Sequence, residues 1–370
     1  MTSALRITTG IDLPLKPSCG SMIFCSDLYR QMAGRAHTTF LALPPADPAW
    51  QHGFAATLFA SAAKAPYGPG FERYVEELTS EVQQHLAAHP ADVVHAQHLG
   101  FGLALAFVRA AQVPVIAIAH GTDVIAATDS PQARAVLTEI VDGATTVVAP
   151  NQSLARRINH LTDNQYTDKI TLVPWGIPLA AAHRPPRPPS GHRLRLLHAG
   201  RLDANKHTIT AIEALALTAD RHELTVIGSG PELATLQDRA RELGVTDQVT
   251  FIPFQPREQL WRSFGDFDAF VFTTAGLEAF GLVAVEAQAH GLPVLYAEIA
   301  GMASTLGSAA LRFPVGDAEQ LARTIDRLAD NPSLRRRLSN TGPANAARYD
   351  IAHSADRLAE LTHAAARATA

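Results

Sequence analysis

Short, almost wholly apolar runs alternate with longer amphipathic stretches along nearly the whole chain. Strands that are apolar on both faces must be covered on both faces. That is the situation of parallel strands connected by helices. Leu5–Ile11, Thr38–Leu43, Asp92–Ala96, Pro114–Ala119, Thr145–Ala149 and Ile170–Val173 read as such strands. Ser21–Ala33, Phe71–Ala88, Gly100–Ala111, Ala133–Asp142 and Leu154–His160 read as the helices among them. The rhythm breaks at His183–His192, where four prolines exclude a helix or a central strand and predict a stiff linker. It then restarts. Arg193–His198, Glu223–Ile227, Gln248–Ile252, Asp268–Thr273 and Pro293–Tyr296 read as strands. Thr208–Ala219, Glu232–Leu243, Pro256–Phe264 and Phe280–His290 read as helices, and the tail from Ala318 to Ala370 reads as helical. The expected architecture is α/β, with doubly wound domains over 1–183 and 193–350 and a linker over 184–192. Ligands of such sheets bind at the carboxyl ends of the strands, so a cleft between the two domains is the expected site.

A chain of 370 residues, 47% of them hydrophobic, has material for two cores. The net charge of −4 argues against a dedicated nucleic-acid binder. Two cysteines exclude a disulfide framework and a four-thiolate zinc site. Cys19 and Cys25 read as free thiols of a reducing compartment. The first residues have no signal-peptide pattern, and Pro114–Ala119 is too short to cross a bilayer. A cytoplasmic protein without an integral membrane segment is therefore expected. Only four of the 31 basic residues are lysines, Lys16, Lys64, Lys169 and Lys206, which suits coding from a GC-rich genome.

Four segments could carry chemistry. Thr273–Leu295 leads from an apolar strand into a helix and holds two glutamates eight apart, Glu278 and Glu286, around Phe280-Gly281-Leu282. Gly281 would let the backbone approach a ligand, and the helix start offers N–H groups to an anion. Eight residues of helix rise roughly 12 Å. That span suits one carboxylate on a sugar and the other on the ribose of a nucleotide sugar. His198–His207 follows the first strand of the second half, and its Arg201 and Lys206 suit a diphosphate. Ala119–Asp123 ends a strand of the first half. There His120 and Asp123 either project towards a ligand, or Thr122 or Asp123 caps a helix beside a bystander histidine. Pro14–Met22 carries Gly20 just before a helix, as in phosphate-binding turns. Val226–Leu233 lacks the third glycine of a dinucleotide fingerprint and reads as structural. Asp266 and Asp268 resemble a metal-binding pair, but Asp268 enters a strand and Asp266 reads as a turn residue, so no metal is expected.

Together these segments resemble the GT-B glycosyltransferases, specifically the retaining enzymes of family 4, over nearly the whole chain. Glu278 and Glu286 look like the family's E-x7-E motif. His198–His207 is similar to its G-R-x(3–4)-K element, Val226–Leu233 to its V-G-x-G-P turn and Ala119–Asp123 to its H-G element. Val173–Pro178 takes the place of V-P-N-G-V-D, with Trp175 and Pro178 departing from it. Cys19-Gly20 replaces the usual Gly-Gly. The resemblance implies a GT-B fold of two Rossmann-like domains facing across a cleft, with 351–370 crossing back onto the first. It implies that Arg201 and Lys206 neutralise a donor diphosphate beside Gly20. It assigns Glu286 to the ribose, and Glu278 with the backbone of Ala279, Phe280, Gly281 and Leu282 to the transferred sugar. Phe254, in Phe251–Pro256, would flank the base. His120 would contact the sugar and, with Cys19 and Asp123, the acceptor.

It further implies a UDP- or GDP-linked sugar as donor and no cofactor or metal. The absence of a basic amphipathic helix in the first half favours a small polar acceptor over a lipid. The resemblance also leaves room for a homodimer. The HGTD tetrad looks like that of enzymes making low-molecular-weight thiol glycosides, which points to thiol or antibiotic biosynthesis in an actinobacterial setting. A nucleotide-sugar epimerase, or a catalytically silent nucleotide-sugar-binding subunit of the same fold, is the alternative reading.

Overall fold

The computed structural model describes residues 4–368 except 18, 180–192, 219–221, 277 and 279. The proline-rich segment 184–192 thus lies outside the described residues. The chain divides into two units, Met1–Gly176 with Ile351–Ala370, and Ile177–Asp350.

Among the described residues the first unit holds seven parallel strands: β1 (Leu5–Leu15), β2 (Ala36–Ala46), β3 (Ala56–Phe59), β4 (Val93–Gln97), β5 (Val115–Ile118), β6 (Thr146–Ala149) and β7 (Ile170–Leu172). Its helices are α1 (Gly20–Met32), α2 (Phe71–Ala88), α3 (Gly102–Ala110), α4 (Thr122–Asp129), α5 (Pro131–Gly143) and α6 (Gln152–Leu161). The order β3-β2-β1-β4-β5-β6-β7 reverses direction between β1 and β4. Central strands are buried on both faces, as β4 and β5 show throughout their lengths. That is why they read as unbroken apolar runs rather than as alternating ones. One core gathers Val94, Leu103, Phe107, Val115, Leu137 and Ile158, where α2, α3 and α5 meet the sheet.

The second unit holds β8 (Arg195–Ala199), α7 (Ile209–Leu217), β9 (Glu223–Ile227), α8 (Leu233–Glu242), β10 (Val249–Ile252), α9 (Arg257–Ser263) and β11 (Ala269–Phe272). It continues with α10 (Leu282–Ala289), β12 (Val294–Ala297), α11 (Met302–Leu306), β13 (Ala310–Phe313), α12 (Ala318–Ala329) and α13 (Pro332–Ala346). Its sheet runs β10-β9-β8-β11-β12-β13, all parallel, and reverses between β8 and β11. Asp268 immediately precedes β11 and is consumed by structure. Its carboxylate accepts the Arg195 backbone N–H (2.8 Å) and the Arg195 guanidinium (3.1 and 3.2 Å), pinning β11 to β8.

The last helix, α14 (Ile351–Ala368), belongs to the first unit. It pairs Asp356 with Arg35, and the Ser354 hydroxyl donates to the Pro174 carbonyl at 2.7 Å. The sequence reading missed β3, α4, α11 and β13. β3 is half-exposed and β13 partly exposed at the sheet edges, and neither shows a clean apolar pattern.

Candidate active site

In the second unit the two loops singled out by sequence leave the adjacent strands β8 and β11, at the reversal of strand order. In a doubly wound sheet that is where a ligand crevice opens. The loops are stitched to each other. The Ala275 N–H donates to the Asn205 carbonyl (2.9 Å), and the Thr273 hydroxyl to the Lys206 carbonyl (2.7 Å). His198 bonds the Val271 carbonyl through Nδ1 (3.0 Å) and Thr208 through Nε2 (3.0 Å). Burial and the Lys206 charge push its pKa down to about 4, although the Val271 contact opposes them. Gly228 and Gly230 let the β9 loop lie against Gly200–Leu202. A Cβ at either would collide with a carbonyl oxygen of that loop, so Val226–Leu233 is a packing turn that seats the Arg201 loop.

Lys206 and Glu278 form an ion pair, Nζ to Oε2 at 2.8 Å, with side chains 19% and 18% exposed. The other carboxylate oxygen of Glu278 accepts the N–H groups of Phe280 (3.3 Å) and Gly281 (3.0 Å). Burial pushes the Glu278 pKa up. The Lys206 charge and hydrogen bond and the two N–H donors outweigh it and hold the carboxyl below its ordinary value. This corrects the expected geometry in two ways. Glu278 lies in the turn before α10, so the two glutamates are not separated by eight residues of helix. The Phe280 and Gly281 amides are also already satisfied by Glu278 rather than open to a sugar. Gly281 has φ +76°, the left-handed region that favours glycine, and this makes the hairpin onto Glu278 accessible. The Phe280 ring is buried edge-on to Tyr349, at 5.0 Å between centroids. Leu282 opens α10, and Ala279 lies outside the described residues.

Arg201 is exposed and pairs with Asp203 at 3.1 Å, an open contact of little energetic weight. Both expected diphosphate ligands therefore have an acidic neighbour within the protein. Glu286 is buried on α10, with Arg257 of α9 at 3.9 Å. The Arg257 guanidinium also lies 4.8 Å over the Trp261 ring. Sequence reasoning missed Arg257 because its partner is 29 residues away on another helix. Phe254 is exposed at the carboxyl end of β10, its N–H on the Ser229 hydroxyl at 3.2 Å. A cavity of about 530 Å³ lies elsewhere in this unit, lined by Tyr296, Ser308, Arg312, Gln320 and Thr324 among others. It contains none of these motif residues.

In the first unit the corresponding strand ends carry His98 after β4 and His120 after β5. Asp123, expected at the acceptor, is instead buried and committed to the backbone. Its carboxylate accepts the N–H groups of Gly121, Val124, Leu99 (2.7 Å) and His120 (3.0 Å). Asp123, the second residue of α4, thus binds the β4 and β5 loops together, while the α4 N-cap is Gly121 without a side-chain capping bond. Thr122 pairs with His98 Nε2 at 3.2 Å. His120 is 3% exposed, edge-on to Trp175 (5.0 Å) and to Phe24 (6.2 Å), rings that stack on each other at 4.2 Å. Burial, with His98 nearby, pushes its pKa down to about 3, so it is neutral at physiological pH. Cys19 is the extended N-cap of α1 without a side-chain capping bond, and Gly20 is that helix's first residue.

Sequence reasoning also missed a cluster on β1. Asp12 is buried, accepts the Tyr74 hydroxyl (2.9 Å) and has Lys64 at 3.8 Å. Lys64 also donates to the Asp12 carbonyl (2.6 Å) and lies 4.0 Å over the Phe101 ring. Burial raises the Asp12 pKa more than Lys64 and Tyr74 lower it.

Residues 20–181 match the model described as Glycosyltransferase Family 4, and residues 182–345 the model described as Glycosyl transferases group 1. The chain is 30% identical over 326 residues to D-inositol 3-phosphate glycosyltransferase from Frankia alni, covering 76% of this chain and 79% of that protein. A shorter match to the same-named protein of Nocardia farcinica, 34% over 163 residues, covers 42% of this chain and 36% of that one. Among solved structures, sucrose-phosphate synthase from Thermosynechococcus elongatus superposes with a TM-score of 0.82 at 19% identity, over 97% of this chain and 98% of that one. HepE of Anabaena in complex with UDP superposes with a TM-score of 0.81 at 18% identity, over 97% and 100%. With the two parallel sheets and the motif loops at their carboxyl ends, these matches place the chain in glycosyltransferase family 4, with the GT-B fold.

Proposed function

We propose that the chain moves a sugar, with retention of anomeric configuration, from a UDP- or GDP-linked donor to a small polar acceptor, without a metal or cofactor. The observation that carries this reading is the Arg201–Lys206–Glu278 constellation at the strand-order reversal of the second unit. In the proposed mechanism Lys206 and Arg201 take the diphosphate and neutralise the charge it gains on leaving. Glu286, backed by Arg257, accepts hydrogen bonds from the ribose hydroxyls, and Phe254 flanks the base. As the glycosidic C–O bond breaks, the acceptor oxygen forms its bond to the same face of the sugar carbon. The acceptor's proton passes to the departing phosphate oxygen. The protein supplies position and charge stabilisation.

A small polar acceptor is supported by the relatives named for D-inositol 3-phosphate, and a nucleotide donor by the UDP held by HepE. Among the described residues no helix is long and apolar enough to cross a membrane, which suits action on a soluble acceptor in the cytoplasm. Incubation with a panel of UDP- and GDP-sugars and polyol, sugar-phosphate and thiol acceptors, read by mass spectrometry for transfer and by NMR of the donor sugar for epimerisation, tests the proposal. A glycosylated acceptor supports it. A donor epimerised without transfer, or bound without turnover, favours the alternative readings.

A further inference from the structure

The cavity of about 530 Å³ in the second unit lies apart from the motif loops, and its size suits a small ligand. Gln320, Thr324 and Arg327 stand at i, i+4 and i+7 of α12, one stripe roughly 10 Å long. They line the cavity with Ser308, with Tyr296 of β12 and with Arg312 of β13. Tyr296 and Arg312 are register partners on adjacent parallel strands, so they share a face of the sheet. The polar groups are nearly all donors. Arg327 is exposed and has no acidic partner among the described residues. Arg312 gives one arm of its guanidinium to Glu298 at 2.7 Å. Gln320 Oε1 accepts from Arg323 (3.0 Å), which leaves the Gln320 amide hydrogens uncommitted. Tyr296 is 3% exposed, and its hydroxyl has no hydrogen-bond partner among the described residues. That oxygen is nevertheless not sealed from solvent, so what it meets is the cavity. Burial pushes the Tyr296 pKa up, with Arg312 opposing and Glu298 adding, so the hydroxyl stays a donor. Thr324 is the exception. Its hydroxyl donates to the Gln320 carbonyl (2.7 Å) and offers only lone pairs to the cavity. Among the described residues no carboxylate lines it.

We propose that this cavity is a second binding site, for a small phosphorylated polyol or sugar. Donors that face a cavity without acceptors are satisfied by an oxygen-rich anion, and a guanidinium with its charge unspent suits a phosphate. Arg327 takes the phosphate, with the Arg312 charge adding to its field. Tyr296 and Gln320 donate to ligand oxygens, and Thr324 accepts from a ligand hydroxyl, which a bare phosphate does not supply. Ser308, Arg312 and Arg327 are exposed, so the ligand reaches the cavity from solvent. None of these residues belongs to the donor or acceptor assignments, so the site stands independently of the proposed function.

The test is titration calorimetry of the full chain with glycerol 3-phosphate, glucose 6-phosphate and an inositol monophosphate, with inorganic phosphate and vesicles of phosphatidic acid as the other arms. At least one soluble monoester should bind, and more tightly than inorganic phosphate. Lys206→Ala, which alters the donor loop, should leave that affinity unchanged. Arg327→Gln, an exposed substitution, should weaken it roughly tenfold or more, and Tyr296→Phe, which removes only the unpartnered hydroxyl, should weaken it by about three- to tenfold. No binding of any monoester up to about 10 mM overturns the proposal. So does inorganic phosphate binding as tightly as the monoesters, which marks an adventitious anion contact. So does retention on the vesicles without binding of the soluble monoesters. Binding abolished by Lys206→Ala and untouched by Arg327→Gln places the ligand at the donor loop and equally overturns it.

Discussion

Replacing Glu278 by glutamine should tighten binding of free nucleoside diphosphate. The sequence reading, in which Glu278 serves only the transferred sugar, leaves that affinity unchanged. The structure couples the two residues, because Glu278 holds Lys206 at 2.8 Å before any ligand arrives. A phosphate oxygen bonded to the same ammonium from the opposite side would lie about 5 Å from the carboxylate, within hydrogen-bond geometry. At an effective dielectric of about 20 to 40, two like charges at that separation repel by about 2–3 kcal/mol. The pair is partly open to solvent, so about 1–2 kcal/mol of relief is expected. That is a five- to thirtyfold lower Kd. Glutamine keeps an oxygen for the Phe280 and Gly281 amides, so the Gly281 turn is preserved. Turnover should nonetheless fall, because an amide accepts hydrogen bonds from sugar hydroxyls less strongly than a carboxylate does. Titration calorimetry of UDP and GDP, at low and high salt, measures the effect, which should shrink as salt rises. Unchanged or weaker binding by Glu278→Gln would refute the coupling.

Acid should unfold the first unit before the second. His95, His98 and His120 have pKa values pushed down to about 3 by burial, and His198 to about 4. Unfolded histidine titrates near 6.5, so the unfolded chain takes up protons first. This stabilisation is complete above pH 6.5 and is lost as pH falls towards the folded values. By pH 5 each histidine withdraws about 2 kcal/mol, or about 6 kcal/mol for the three in the first unit. Fluorescence of Trp175 and Trp50 against that of Trp261, each in single-tryptophan variants, would show the order, and earlier loss of the Trp261 signal contradicts it. Asp123→Asn should destabilise the first unit by about 3 kcal/mol or more, because an amide group must then face backbone donors. A melting temperature within 1–2 °C of wild type, by a measure in which about 1 kcal/mol moves it several degrees, would leave the four-amide contact without energetic weight. Activity should survive excess EDTA, and loss restored by Mg²⁺ or Mn²⁺ would point to a metal site not described above.

The doubly wound pattern was legible because strands buried on both faces leave unbroken apolar runs, and the motif loops were legible because they follow those runs directly. What was not legible lies at sheet edges or across long separations. β13 is a half-solvated edge strand. Lys64 meets Asp12 over 52 residues, and Thr362 meets His95 over 267. The roughly 12 Å span assumes helix between Glu278 and Glu286, because spacing alone cannot show a turn that folds a carboxylate back onto its own backbone. From sequence Asp123 reads as ligand or as cap. The four converging amides make it instead a tie between two loops, and two of those amides come from the neighbouring loop and strand end.

The most direct measurement is NMR of the sugar first formed when a nucleoside-diphosphate sugar is consumed, compared between wild type and Lys206→Ala. The account predicts that the new linkage keeps the donor's anomeric configuration. It also predicts that Lys206→Ala loses roughly 10²–10³ in rate, as expected when one group stabilising a departing oxyanion is removed. An inverted anomer, or a Lys206→Ala enzyme as fast as wild type, would contradict it.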